Sequence, residues 1–398
     1  MRNTFFTFEK VICYLVAIDL LVVLTPVKQY FPVFNTILIL LLAPLVIISA
    51  KWNELLRSKS FVLFFVCYFV LLLFGLVNHG PSIIEYIYRF TRLIPLFVAG
   101  VIISKNIKYI HTIILFSIVG LFLGGLELFF VSDSFILRDE MHYITDYLRS
   151  PYRYIPPVFV SILAIYLAGS TKKKSYKFFI MALTLVNLLN VLRSGFTTPM
   201  IVFFVCLFAF LFRTLFYFRS GFFNMLKKIF LLFLILLSSF YVLVNIFSSS
   251  ATGRRVNEIF DFLFLSSKSI DINSTSGNRL YFLNLSLDTF FDNPLIGVGA
   301  ESLSGAVNRV GSHSSIFDLL AQFGVFGFFF LIMFLNWIVI SFKLSYNYTN
   351  YTNYTNLSIA FFCIWVGYFF GCIANPYFLS AAIDHYIFVF AGITIGLN

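Results

Sequence analysis

A helix needs about 20 apolar residues to cross the hydrocarbon layer of a bilayer. This chain offers twelve such runs: 8–26, 31–50, 60–78, 83–104, 110–132, 154–171, 177–193, 197–217, 228–248, 316–342, 357–374 and 378–397. They leave too little polar sequence for a soluble surface. Only 11% of the 398 residues are charged, against roughly 25% in soluble domains. Phe alone accounts for 55 residues, which suits lipid-facing and helix-packing surface. The expected fold class is all-α, a polytopic helical membrane protein of about 12 transmembrane helices. Within 177–217 only Arg193 and Pro199 mark a turn, so those two spans are expected to be joined very tightly.

Lys and Arg collect on the cytoplasmic side of membrane proteins. Sixteen of the 28 fall in the N-terminal segment and in 51–59, 105–109, 171–177, 213–228 and 343–356, where the acids are Glu9 and Glu54. Both termini are therefore expected to be cytoplasmic, and the first apolar run reads as a retained span, because it lacks a small-residue cleavage site. The net charge of +11 is mostly this sorting signal, and a nucleic-acid partner finds little support. Three regions follow: nine spans in 1–248, a long non-cytoplasmic loop at 249–315, and three spans in 316–398. A shorter outer loop covers 133–153. In the long loop, Val256, Ile259, Phe260, Leu263 and Phe264 recur at helical spacing opposite Arg255, Glu258 and Asp261, which predicts a helix lying on the membrane surface. A second helix is predicted from about Asn278 to Phe291, stopped by Asn293-Pro294. The Tyr-Thr-Asn repeat at 346–356 reads as a loop expansion.

Ionisable groups inside spans are costly and mark candidate sites. Here they are Asp19, Glu85, Arg89, Arg92, Glu127 and Asp384. Most fall in the outer halves of their spans, and His385, Arg153 and Arg193 lie at outer ends, so one polar cavity open to the non-cytoplasmic face is expected. Glu85 and Arg89 can pair at i, i+4. Arg92 requires an acid from another helix or an anionic ligand. Arg193 can snorkel to the interface or bind phosphate. The five cysteines all lie in apolar runs and read as packing residues, without a disulfide or a thiolate metal site. The five histidines are scattered and no His-Glu-x-x-His or Asp-x-Asp occurs, so no metal and no cofactor is expected.

His313 ends the long loop. Ser315 and Asp318 have capping-box spacing, which predicts a helix starting at Ser315 with its free amides and dipole facing His313. Such a terminus favours an anion such as pyrophosphate and keeps an imidazole neutral, able to accept a proton. A plain surface histidine is the alternative. Gly324 and Gly327 lie further along the same run and permit close helix packing.

His313-Ser314, nine residues, Gly324, two residues and Gly327 together resemble the pattern of the O-antigen ligase and Wzy polymerase superfamily. Arg279 with Leu283 matches the family's Arg-x-x-x-Leu element, and Asn293 to Gly299 also resembles members. The motifs cover about 279–327, while the topology covers the whole chain. The family's Ser-Arg-Gly-like turn is altered here to Arg193-Ser194-Gly195. The resemblance implies a glycosyltransferase at the periplasmic face, using undecaprenyl-pyrophosphate-linked oligosaccharide as donor. His313 and Arg279 would be catalytic, and Arg193, Arg89 and Arg92 would hold the pyrophosphate. A polymerase of O-antigen repeat units is favoured, with metal-independent, inverting transfer. The alternatives are a ligase passing the glycan to lipid A core and a flippase of the lipid-linked unit. Besides membrane lipid, a chain-length regulator and a flippase are the partners implied.

Overall fold

The computed structural model describes residues 8–23, 25, 31, 33–78, 87–88, 91–131, 151–194, 197–217, 275–298, 314–347, 352–375 and 383–398. These residues are helical, without a strand. The helices are α1 (Phe8–Val22), α2 (Phe34–Ser49), α3 (Lys59–Asn78), α4 (Ile94–Ser104), α5 (Ile107–Val131), α6 (Ile155–Ser170), α7 (Lys174–Arg193), α8 (Thr197–Tyr217), α9 (Thr275–Asp292), α10 (Ser315–Phe323), α11 (Phe328–Asn347), α12 (Thr352–Ala374) and α13 (Ile383–Leu397). The expected span 228–248, the surface helix 254–267, most of the loop 133–153, and residues Glu85, Arg89 and His313 lie outside the described residues.

Three stretches are long and apolar enough to cross a membrane, Ile107–Leu126, Ser315–Ser345 and Tyr354–Ile373, and six shorter apolar helices accompany them. This marks a membrane protein. Lipid-facing positions are plain on α11, where Phe328, Ile332, Leu335, Val339 and Phe342 are all exposed and recur along one stripe of the helix. The opposite face of α11 buries Trp337 against Trp365 and stacks Phe334 on Tyr368, with ring centroids 4.7 and 5.0 Å apart. An open apolar furrow of about 610 Å³ runs between α8 and α12, past Ile201, Phe204, Phe208 and Phe370.

Helix pairing sorts the polar residues to two ends. At one end Lys105 and Lys51 reach Glu54 at 3.4 and 3.2 Å, and Asn398 bonds Ser60. The hydrogen bond from Lys51 holds the Glu54 carboxyl below its usual value. Lys59, Lys108 and Lys172 to Lys174 stand at the same helix ends. At the other end α1 meets α13 and α8 meets α12 through side-chain hydrogen bonds described below. α4 and α13 run side by side in the same direction. A Cβ on Gly392 would strike the Phe97 carbonyl, one on Gly100 the Val389 carbonyl, and one on Gly396 would stand 2.8 Å from the Val101 carbonyl. Only glycine permits this backbone-to-backbone approach.

Four expectations are corrected. The single helix over 316–342 is replaced by α10, a 3₁₀ turn at Gly324–Gly327, and α11. Gly324 adopts φ +59° with ψ −140°, a backbone region open to glycine and few other residues, so Gly324 and Gly327 are turn residues before they are packing residues. Span 83–104 is likewise interrupted: residues 87, 88 and 91 are helical, Arg92 lies in a turn, and α4 begins at Ile94 with Pro95 in its first turn, as its fixed φ favours. α10 starts at Ser315 as expected, but its cap is Ser314 and not the Ser315 that the capping-box spacing pointed to. Finally, part of the Tyr-Thr-Asn repeat is helical, since α11 runs to Asn347 and α12 starts at Thr352.

Candidate functional site

The break at Gly324 changes what lies above the bundle. The ring contacts between α11 and α12 set an antiparallel register in which Phe328 stands opposite Ala374. Ser314, at the far end of α10, bonds through its Oγ to the Cys372 carbonyl at 3.2 Å. The Ser315 amide bonds to the Asn375 carbonyl, also at 3.2 Å. Both ends of α10 therefore stand at one level. A nine-residue helix is about 13 Å long at 1.5 Å per residue, so α10 runs across the end of the bundle and not down its axis.

Ser314 earns its place by local chemistry. Its Oγ accepts from the Phe317 amide, and Asp318 Oδ2 accepts from the Ser314 amide at 3.3 Å. These are the two reciprocal bonds of a capped N-terminus. Asp318 Oδ1 accepts from Ser286 Oγ on α9 at 2.9 Å, so one buried carboxylate both caps α10 and fastens α9 to it.

The turn after α9 fastens the other end. Val298 donates its amide to the Ala321 carbonyl at 3.0 Å, and Val325 donates to the Pro294 carbonyl at 2.8 Å. Gly297 and Gly324 face this junction with φ +74° and +59°. A Cβ on Gly297 would strike the Gln322 carbonyl, and one on Gly324 would stand 2.6 Å from the Leu295 and Pro294 carbonyls. Ser286 opposite Asp318 and Pro294 opposite Val325 mean that α9 and α10 run in the same direction. Arg279 lies seven residues before Ser286, about 10 Å along the axis and on the same helix stripe. That level is about one turn beyond Ser314, the cap of α10. The Arg279 and Arg193 side chains lie outside the described residues.

Two more helix termini reach the same place. Asn375, whose carbonyl takes the Ser315 amide and Oγ, donates from Nδ2 to Thr198 Oγ1 at 2.6 Å. Thr198 opens α8, and α7 ends at Arg193 just before it. The backbone positions of Arg279, Arg193 and the start of α10 are thus gathered at one end of the bundle.

A second polar cluster stands at this end and is fully buried. Asp19 on α1 accepts from His385 Nδ1 on α13 at 2.6 Å and from Asn35 Nδ2 on α2 at 2.7 Å. Tyr386 donates to the Leu20 carbonyl at 2.6 Å. Arg92 precedes Gly100 by eight residues and Asp384 precedes Gly392 by eight. The parallel α4–α13 register therefore places an acid from another helix at the level of Arg92. The Arg92 guanidinium stands 5.5 Å from the Tyr88 ring. Farther round, buried Arg153 donates to the Gly124 carbonyl and lines a cavity of about 20 Å³ with Asn187 and Asn190, room for one water-sized group.

The sequence had flagged Asp19, Asp384 and His385 by their place in apolar runs, without naming partners. Asn35, Asn187, Asn190, Thr198 and Asn375 went unnoticed. Asn187 and Asn190 carried a usable signal, two amides at i, i+3 in an apolar helix. No metal-ligating group of three or more His, Cys, Asp or Glu occurs among the described residues. Comparison with protein-family models gave no match, and comparison with curated proteins gave none either.

Proposed function

We propose that this chain is a membrane glycosyltransferase that joins oligosaccharide repeat units carried on undecaprenyl pyrophosphate, working at the periplasmic face of a bundle of about twelve spans. The observation that carries the reading is the parallel fastening of α9 to α10. It sets the Arg279 backbone about one turn beyond the capped N-terminus of α10, and His313 precedes that cap in sequence. An arginine beyond this terminus suits a pyrophosphate, while the terminal amides of Ser314, Ser315 and Phe317 are engaged by Asp318, Asn375 and Ser314 and do not supply the anion site.

In the proposed reaction the acceptor hydroxyl oxygen attacks the anomeric carbon of the donor glycan. The bond from that carbon to the phosphate oxygen breaks, and the lipid pyrophosphate leaves with the electron pair. His313 takes the hydroxyl proton. Arg279 and Arg193 stabilise the charge that grows on the leaving group, and Arg89 belongs to the same pyrophosphate-holding set in this reading. Arg92 also belongs to the pyrophosphate-holding set in this reading, although the Asp384 carboxylate at its level offers an internal counter-charge. The furrow between α8 and α12 begins about one turn below Thr198 and offers an apolar track for an isoprenoid chain.

The test is the lipopolysaccharide profile of a deletion strain complemented with wild type or His313→Ala. Core bearing a single repeat unit in the deletion is the expected result, with His313→Ala failing to restore polymer at normal protein level. Bare core with polymer still on the carrier lipid would make the chain a ligase, and bare core with no polymer would make it a flippase. Normal polymer from His313→Ala would remove the histidine from the mechanism.

A further inference from the structure

The turn that closes α9 presents an apolar edge to the outside. Phe291 is 70% exposed, Leu295 69%, Ile296 54% and Val298 45%. This edge cannot fold in on itself, because both strands of the junction are pinned by backbone hydrogen bonds at Val298 and Val325 and by two glycines with positive φ. Some other apolar phase must cover it.

Its position says which. Phe290, one residue before the edge, packs edge-on against Phe328 with ring centroids 6.2 Å apart. Phe328 heads the exposed stripe of α11 that continues through Ile332, Leu335, Val339 and Phe342. Val325, beside Pro294 in the junction, is exposed as well. The edge is therefore the upward continuation of a lipid-facing stripe, at the level where α11 begins. Asp288 and Asp292 remain exposed beside it, which suits the headgroup boundary.

We propose that Phe291, Leu295, Ile296 and Val298 are inserted among the lipid chains of the leaflet at this end of the bundle, and that this anchors α9 and α10 at a fixed depth. The partner is the bilayer itself, whatever reaction the neighbouring site performs. The consequence is mechanical. α9 lies flat at the interface, so a lipid-borne ligand meets it by lateral diffusion.

The native cysteines are all buried, so an introduced cysteine at the edge can be labelled selectively. Ile296→Cys carrying a nitroxide, in the full-length protein in phosphatidylethanolamine–phosphatidylglycerol vesicles, should show greater access to oxygen than to a polar nickel chelate. A label at Leu335 should show the same sign, and one at the exposed Lys173, in the polar loop before α7, the opposite sign. Greater access to the nickel chelate at 296 overturns the proposal, because the edge is then in water. Low access to both reagents also overturns it, because a second copy or another protein then covers the edge.

Discussion

Gly297 and Gly324 show how a single missing methyl group shapes the site. Each adopts a positive φ and each faces a carbonyl of the opposite segment too closely for a Cβ. A side chain would meet both penalties, an unfavourable backbone region and a backbone clash that no rotamer change relieves. Gly324→Ala and Gly297→Ala should each destabilise the protein by about 1–3 kcal/mol, read as a lower midpoint in a detergent unfolding titration. Gly169→Ala is the contrast, since nothing lies within 4 Å of its Cβ. It should be neutral or slightly stabilising, by up to about 1 kcal/mol. Equal effects at all three positions would mean that the junction is not pinned as described. The motif was legible in sequence as Gly324 and Gly327 in a fixed spacing. Gly297 was in view only within the Asn293–Gly299 stretch, and the pairing of the two glycines as turns was not legible, because a positive φ leaves no trace in hydropathy.

At the scale of elements, apolar length alone recovered most helices to within a few residues, since burial in lipid and burial in protein demand the same side chains. It failed where backbone geometry interrupts an apolar run. Nothing in the hydropathy of 316–342 distinguishes one spanning helix from a helix laid across the bundle and a second one running down it. The partners of buried charges were equally hidden, because Asp19 and His385 are 366 residues apart. Their pairing ties α1 to α13, and Asn35 adds α2. Removing one member strands the other in an apolar interior, so Asp19→Asn or His385→Gln should each cost about 3–5 kcal/mol. The double variant should lose clearly less than the two single losses added together, as expected for residues in direct contact. Strict additivity would mean that the two groups do not stabilise each other.

For the whole molecule, the sorting of charge and the helix register lead to the same polarity. The end with Lys51, Lys59, Lys105, Lys108 and Lys172 to Lys174 is where α3, α5 and α7 start. The end with Asp19, His385, Thr198, Asn375 and the paired α9 and α10 is the opposite one. On the positive-inside tendency the lysine end is expected in the cytoplasm, and under the proposed function the candidate site would then face the opposite side. Cysteines introduced at Asp288 and Asp292 on α9 should react with a membrane-impermeant maleimide on intact spheroplasts. Cysteines at Glu54 and Lys173 should react only after permeabilisation, and the five buried native thiols should stay silent in both. The reverse pattern would place the site in the cytoplasm and exclude the proposed reaction, which needs a periplasmic donor and acceptor. Labelling of α9 and the lysine loops from the same side would break the two-ended bundle itself, since an odd number of crossings must then be lost between them.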